Sequence, residues 1–176
     1  MRAVVIVVGG LVLAGLGVVL LSGVFVARDE PTFSAVRGPG KAYRDLGARH
    51  VQPGTRSGPF ASDPPTSGPH VPAPVTRDGG PLTDDQLVHA LELGDVVLFY
   101  GERRPPAGLR RLADDVAGPF DPKLAEAGQS VILARRPGTR GVIAAAWGHL
   151  LPVSAPDDPA LRDFVDFWLG RGAGSG

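Results

Sequence analysis

The stretch TDDQLVHALELGDVVLFY, Thr83–Tyr100, decides the fold class, because its pattern changes halfway along. Thr83-Asp84-Asp85-Gln86 has the form of a capping box. In that motif the hydroxyl accepts from an otherwise orphaned amide, and the glutamine side chain reaches back to the cap residue. The helix it starts reads through Asp84–Leu93 and stops at Gly94, a residue suited to the left-handed C-cap. Asp95 then leads into Val96-Val97-Leu98-Phe99-Tyr100. A run this short and this apolar, rich in β-branched and aromatic residues, reads as a buried strand.

Toward the C-terminus, Pro105-Pro106 ends that strand, and Leu109, Leu112 and Val116 are spaced for a second short helix stopped by Gly118-Pro119. Ser130–Arg135 and Val142–Trp147 read as strands on either side of a Pro137–Gly141 turn, so they are expected to pair as a hairpin. Pro159 opens a final helix with Leu161, Phe164, Val165, Trp168 and Leu169 on one face, and Gly170 closes it. The expected class is α+β: a small antiparallel sheet with about three short helices. The expected domain covers residues 43–170, with 171–176 as a flexible tail.

Upstream, YRDLGARHVQPGTRSGPFASDPPTSGPHVPAPV begins at Tyr43 and is dense in Pro and Gly. Pro64-Pro65, Pro72 and Pro74 exclude regular helix there. A loop this long within a compact domain is functional or disordered, and an ordered functional loop is expected here. Residues 29–42 read as a stalk. Residues 1–28 read as a transmembrane anchor, since Ala3–Ala27 carries no charge and 25 residues at about 1.5 Å each exceed a hydrocarbon core of about 30 Å. The rival is a cleaved signal peptide, but a cut after Ala27 would put Phe25 where a small residue is wanted. The lipid bilayer is thus an expected partner of residues 3–27, with the N-terminus cytoplasmic and the long C-terminal domain outside the cytoplasm at the cell membrane.

Composition narrows the chemistry. Lys+Arg and Asp+Glu both number 18, so the net charge is zero, and without a basic patch nucleic acid is not an expected partner. The absence of cysteine excludes disulfides, iron–sulfur clusters, thiolate metal sites and thiol catalysis. The one methionine is Met1, which excludes a Met-rich copper(I) site. Any metal must be held by histidine, carboxylate or backbone oxygen.

Four histidines exist: His50, His70, His89 and His149. His70 sits in the stiff Pro64–His70 loop, which fixes where its imidazole points. His89 shares a helix side with Glu92, three residues on. A rigid loop facing a helix is a way to converge imidazoles on one point.

DPPTSGPH, followed by LVHALELG and then VVLFY, resembles a bacterial family known as domain of unknown function 3105. The resemblance implies a single N-terminal anchor, a G-x-x-H element, a PPTSGPH box, an H-x-L-E-H-G box and a later strand ending in AWG. Their counterparts here are Gly47–His50, Pro64–His70, His89–Gly94 and Ala146–Gly148. The match covers most of residues 43–170. One position departs: the pattern's second helical histidine is Leu93 in this chain. That removes an i, i+4 histidine pair and leaves His50, His70 and His89, with Glu92 near and His149 able to substitute. Three imidazoles suffice for zinc or copper(II) with an open position.

Because Leu93 weakens the ligand set, the leading expectation is a non-enzymatic interaction module that docks on another membrane or envelope protein. The alternative is a histidine-based zinc or copper module of low affinity. A hydrolase is the second alternative, suggested by Ser67 near His70 and Asp63, although no Gly-x-Ser-x-Gly elbow surrounds Ser67.

Overall fold

The computed structural model describes residues 37–174. In chain order the elements are β1 (Lys41–Ala42), α1 (Asp84–Leu93), β2 (Val96–Tyr100), α2 (Ala107–Ala117), α3 (Pro122–Glu126), β3 (Val131–Arg135), β4 (Val142–Ala146), β5 (His149–Val153) and α4 (Pro159–Trp168). The class is α+β, with four helices among the described residues on a five-stranded sheet of order β1-β5-β4-β2-β3. The capping box on Thr83 and the left-handed Gly94 C-cap are both present.

The sheet is mixed, not antiparallel. β3 does not pair with β4; it runs parallel to β2, in register from Val96↔Val131 to Tyr100↔Arg135. β4 lies on the other edge of β2, antiparallel, with Phe99 opposite Ile143. The reason lies in the connection. Helices α2 and α3 carry the chain back to the start of β2, and such a crossover delivers the next strand parallel. All five residues of β2 are buried, so β2 takes a central place with neighbours on both edges. The expected hairpin exists one strand later, where Trp147-Gly148 turns β4 into β5 and Gly148 adopts φ 70°. Pro152 within His149–Val153 hides that strand in the sequence. α3 was also unforeseen; Asp121 caps it and Pro122 opens it.

Alternation along the strands makes two apolar faces. Val96, Leu98 and Tyr100 look toward Leu109 and Ala113 of α2 and toward Leu161, Phe164, Val165 and Trp168 of α4. Val97 and Phe99 look the other way, onto Leu87, Val88 and Leu91 of α1. Tyr43, Ala48, Phe60 and Leu82 of the long irregular segment pack against this second cluster. The Pro/Gly-rich segment therefore covers the same face of the sheet as α1, which is what brings its histidines to that helix.

Both ends of the domain are tied down. Lys41–Ala42, within the stretch read as a stalk, pairs with β5, and the Trp168 indole donates to the Pro39 carbonyl at 2.9 Å. At the other end, Arg171–Ala173, read as loose tail, is hydrogen-bonded back into the fold. No helix among the described residues is long and apolar enough to cross a membrane. The expected anchor lies outside the described residues.

Trp168 joins the sheet face, Pro39 just ahead of β1, and His149, whose ring stacks on it at 4.0 Å. Trp168→Ala should therefore destabilise the domain by about 3 kcal/mol, read as a lowered denaturant midpoint. A midpoint within error of wild type would place α4 outside the core.

Candidate metal centre

α1 brings two of the four polar groups. Its last turn carries Glu92, one turn after His89, and its backbone is locked there from outside the helix. Gly170 donates to the Gly94 carbonyl at 2.8 Å and Ala173 to the Glu92 carbonyl at 3.0 Å, satisfying acceptors that a helix end leaves open. Gly172 passes so close that a Cβ there would overlap the Glu92 carbonyl oxygen.

The irregular segment brings the other two. His50 and His70 are joined by an isolated parallel bridge: the His70 amide donates to Arg49 at 3.1 Å, and the Val51 amide to His70 at 2.9 Å. The Gly68 amide donates to Gly47 at 2.8 Å, and the Ser67 hydroxyl accepts from the Leu46 amide at 3.0 Å. The Pro64–His70 loop is thereby sewn to the Gly47–His50 turn. Asp85 fastens the segment to the helix at two further points: one carboxylate oxygen accepts from the Val71 amide, next to His70, at 2.9 Å and from the Ser57 hydroxyl. Asp85, His89 and Glu92 fall on one helix face, so this clamp sits one turn from the histidine.

The four groups converge on one atom. Glu92 Oε2 lies 2.9 Å from His50 Nε2, 3.0 Å from His70 Nε2 and 3.3 Å from His89 Nδ1. The four donor atoms all fall within 4.8 Å of one another. In a tetrahedral zinc site with arms of about 2.0 Å, neighbouring donor atoms are about 3.3 Å apart. The three Glu92 distances are close to that edge. The His70 ring is fully buried, while the His50 ring is 48% exposed, so the cluster opens to solvent on one side.

His70 carries a chemical constraint. Its Nδ1 lies 3.0 Å from the Gly68 carbonyl oxygen, which can only accept, so Nδ1 holds a proton. In the neutral ring the Nε2 lone pair then faces the Glu92 carboxylate oxygen, another acceptor. Two lone pairs at 3.0 Å repel unless a cation, either a proton or a metal ion, lies between them. A ring N–H on a backbone carbonyl is how proteins commonly fix a metal-binding imidazole.

The local electrostatics agree. Burial is the largest influence on His89 and lowers its pKa, outweighing the Glu92 carboxylate, so the ring favours its neutral, ligating form. Burial would raise the pKa of Glu92, yet the hydrogen bonds and charge of the surrounding histidines hold it below the usual carboxylate range.

Of the residues expected at a site, His50, His70, His89 and Glu92 come together and His149 does not. His149 is on β5 beside Leu150, and Leu150 faces α1; alternation sends His149 through the sheet, where it stacks on Trp168. Leu93, 37% exposed, contributes no donor, and the cluster reaches four donors without position 93. Ser67 is buried with its hydroxyl held by backbone groups, and Asp63 pairs with Arg136, so no Ser-His-Asp arrangement forms. The sequence reading overlooked Asp85, whose carboxylate looked like ordinary first-turn charge, and the Gly170–Ala173 strap, which carries no local signal.

The model of the family described as Protein of unknown function (DUF3105) matches residues 50–174. The chain belongs to this family. No curated protein and no solved structure matches the chain. The match begins at His50 and includes His70, His89 and Glu92, so every candidate donor lies within the family domain.

The lowered pKa of Glu92 makes a signed prediction for the metal-free protein. A carboxylate held below its unfolded value of 4.5 stabilises the fold above that pH, and the contribution disappears as pH falls through the folded value. Glu92→Gln should therefore be less stable than wild type at pH 7, and the gap should narrow as pH falls below 4.5, followed by chemical denaturation at each pH. A gap independent of pH would show that Glu92 acts only through packing.

Proposed function

We propose that this domain is a metal-binding module that holds one divalent transition-metal ion, zinc or copper(II), on His50, His70, His89 and Glu92. The observation that carries the reading is the convergence of four donor atoms within 4.8 Å of one another, with the His70 ring fixed by its outer nitrogen on the Gly68 carbonyl and its inner nitrogen 3.0 Å from the Glu92 carboxylate. A proton would answer that contact for His70 alone, whereas a metal ion would answer it for all three imidazoles that converge on the same oxygen. Three nitrogens, one oxygen and no sulfur suit zinc or copper(II) better than copper(I) or calcium. This reading departs from the expectation of low affinity, because position 93 is not needed to complete the donor set.

Calorimetric titration of the purified chain with zinc and with copper(II) tests it. One equivalent should bind, and both His70→Ala and Glu92→Gln should lower the affinity at least about tenfold. Binding should fade below about pH 6, as imidazoles take up protons. Absence of binding heat with either metal at neutral pH would overturn the proposal.

A second reading, docking on another membrane or envelope protein, draws on Leu93, an exposed large hydrophobic side chain at the end of the site helix. The two are compatible, since a half-open metal centre can lie within a contact surface. In either case we infer a single-pass cell-membrane protein with this domain outside the cytoplasm, on the uncharged Ala3–Ala27 run. The full-length chain should stay with the membrane pellet after carbonate washing, and a mature form that starts near Arg28 would identify a cleaved signal peptide instead.

A further inference from the structure

His89 turns Nδ1 toward Glu92, and its second nitrogen, Nε2, takes no part in that contact. The same residue walls a cavity of about 10 Å³ shared with Asp95, Leu93 and Val75. That is about the room one water molecule requires. Asp95 is buried, and only one of its oxygens is used: Oδ1 accepts from the Ser130 amide at 2.8 Å. Oδ2 is buried and has no hydrogen-bond partner among the described residues. An orphaned carboxylate oxygen is costly in a core and calls for a specific reason.

We propose that Asp95 is a positioning residue for the metal centre, holding His89 in its ligating tautomer through one water molecule lodged in this cavity. The proposal rests on the metal reading above. A metal ion at Nδ1 requires the lone pair of that nitrogen, so the ring proton must sit on Nε2 and needs an acceptor there. His70 already has such an acceptor in the Gly68 carbonyl. Asp95 Oδ2 supplies the equivalent for His89, with the water donating to Oδ2 and accepting from Nε2–H. The bridge answers two open hydrogen-bonding needs at once, the orphaned oxygen and the second ring N–H. Burial lifts the Asp95 carboxyl to about 7 against the pull of the Ser130 amide, and a second donor at Oδ2 would favour the ionised, accepting form. Asp95 follows the Gly94 cap and precedes β2, so it stands beside the end of the helix that carries the ligands.

The test uses the full chain loaded with zinc. Calorimetry gives the affinity of wild type, Asp95→Asn, Asp95→Ala and Glu126→Gln, the last being an exposed carboxylate that borders the same cavity. Long-range 15N–1H spectra of the zinc-loaded proteins report the protonated nitrogen of each histidine. Asp95→Asn, which keeps the shape of the side chain, should weaken zinc binding about tenfold, and the His89 spectrum should lose its single Nε2–H tautomer while His70 keeps Nδ1–H. Glu126→Gln should match wild type. In a His89→Ala background, Asp95→Asn should cause no further loss, because a positioning residue acts only through the group it positions. Asp95→Ala serves as a second variant, and Asp95→Asn keeps the test decisive if Asp95→Ala does not fold. Wild-type zinc binding with unchanged affinity and an unchanged His89 tautomer in Asp95→Asn would overturn the role of Asp95 and leave the metal reading standing. No zinc binding in wild type would overturn both.

Discussion

β2 is buried along its whole length, and a sheet with such a central strand must be covered on both faces. α2 and α4 together cover one face. The other receives α1 and the short α3, which leaves apolar surface for the irregular segment between β1 and α1 to cover. A segment without helix or strand can do this only if its backbone groups find partners one by one. Here they do, through the His50–His70 bridge, the Gly47–Gly68 bond and the carboxylate of Asp85. The histidines converge because the loop that carries them is also a covering layer of the core.

The same constraint explains why the centre combines rigidity with access. His70 is interior, its ring held by its own loop, whereas His50 stands at the rim and His89 lies between them on the helix. Glu92 faces all three because the chain end straps the helix terminus from behind. That strap leaves α4, on the far face of the sheet, and reaches the carbonyls beside the ligating carboxylate. The two faces of the sheet thus meet at the site helix, and stability of the fold and geometry of the centre are coupled there.

Much of this was legible in the residues. The capping box and Gly94 set both ends of α1, Pro159 and the apolar spacing of Leu161, Phe164, Val165 and Trp168 set α4, and the composition of Val96–Tyr100 marked the central strand. Local signals sufficed because capping and burial periodicity are local physics. The ligand candidates followed from residue type, since with no cysteine and one methionine only histidines and carboxylates remained. His50, His70, His89 and Glu92 could therefore be named, but not separated from His149.

The sequence by itself determined α1, α2, α4 and the strands β2, β3 and β4, with the apolar faces of these helices and the pool of donor groups, but not β1, α3 or β5. Tertiary structure alone decided the parallel pairing of β2 with β3, because the crossover through α2 and α3 depends on how helices pack and not on any strand's own pattern. It decided that His149 points through the sheet to Trp168, because facing depends on the register of β5, a strand whose proline obscures it. It also decided that Arg171–Ala173, residues with no structural signal of their own, lock Glu92 in place. Each of these rests on contacts between residues far apart in the chain, which no window of sequence contains.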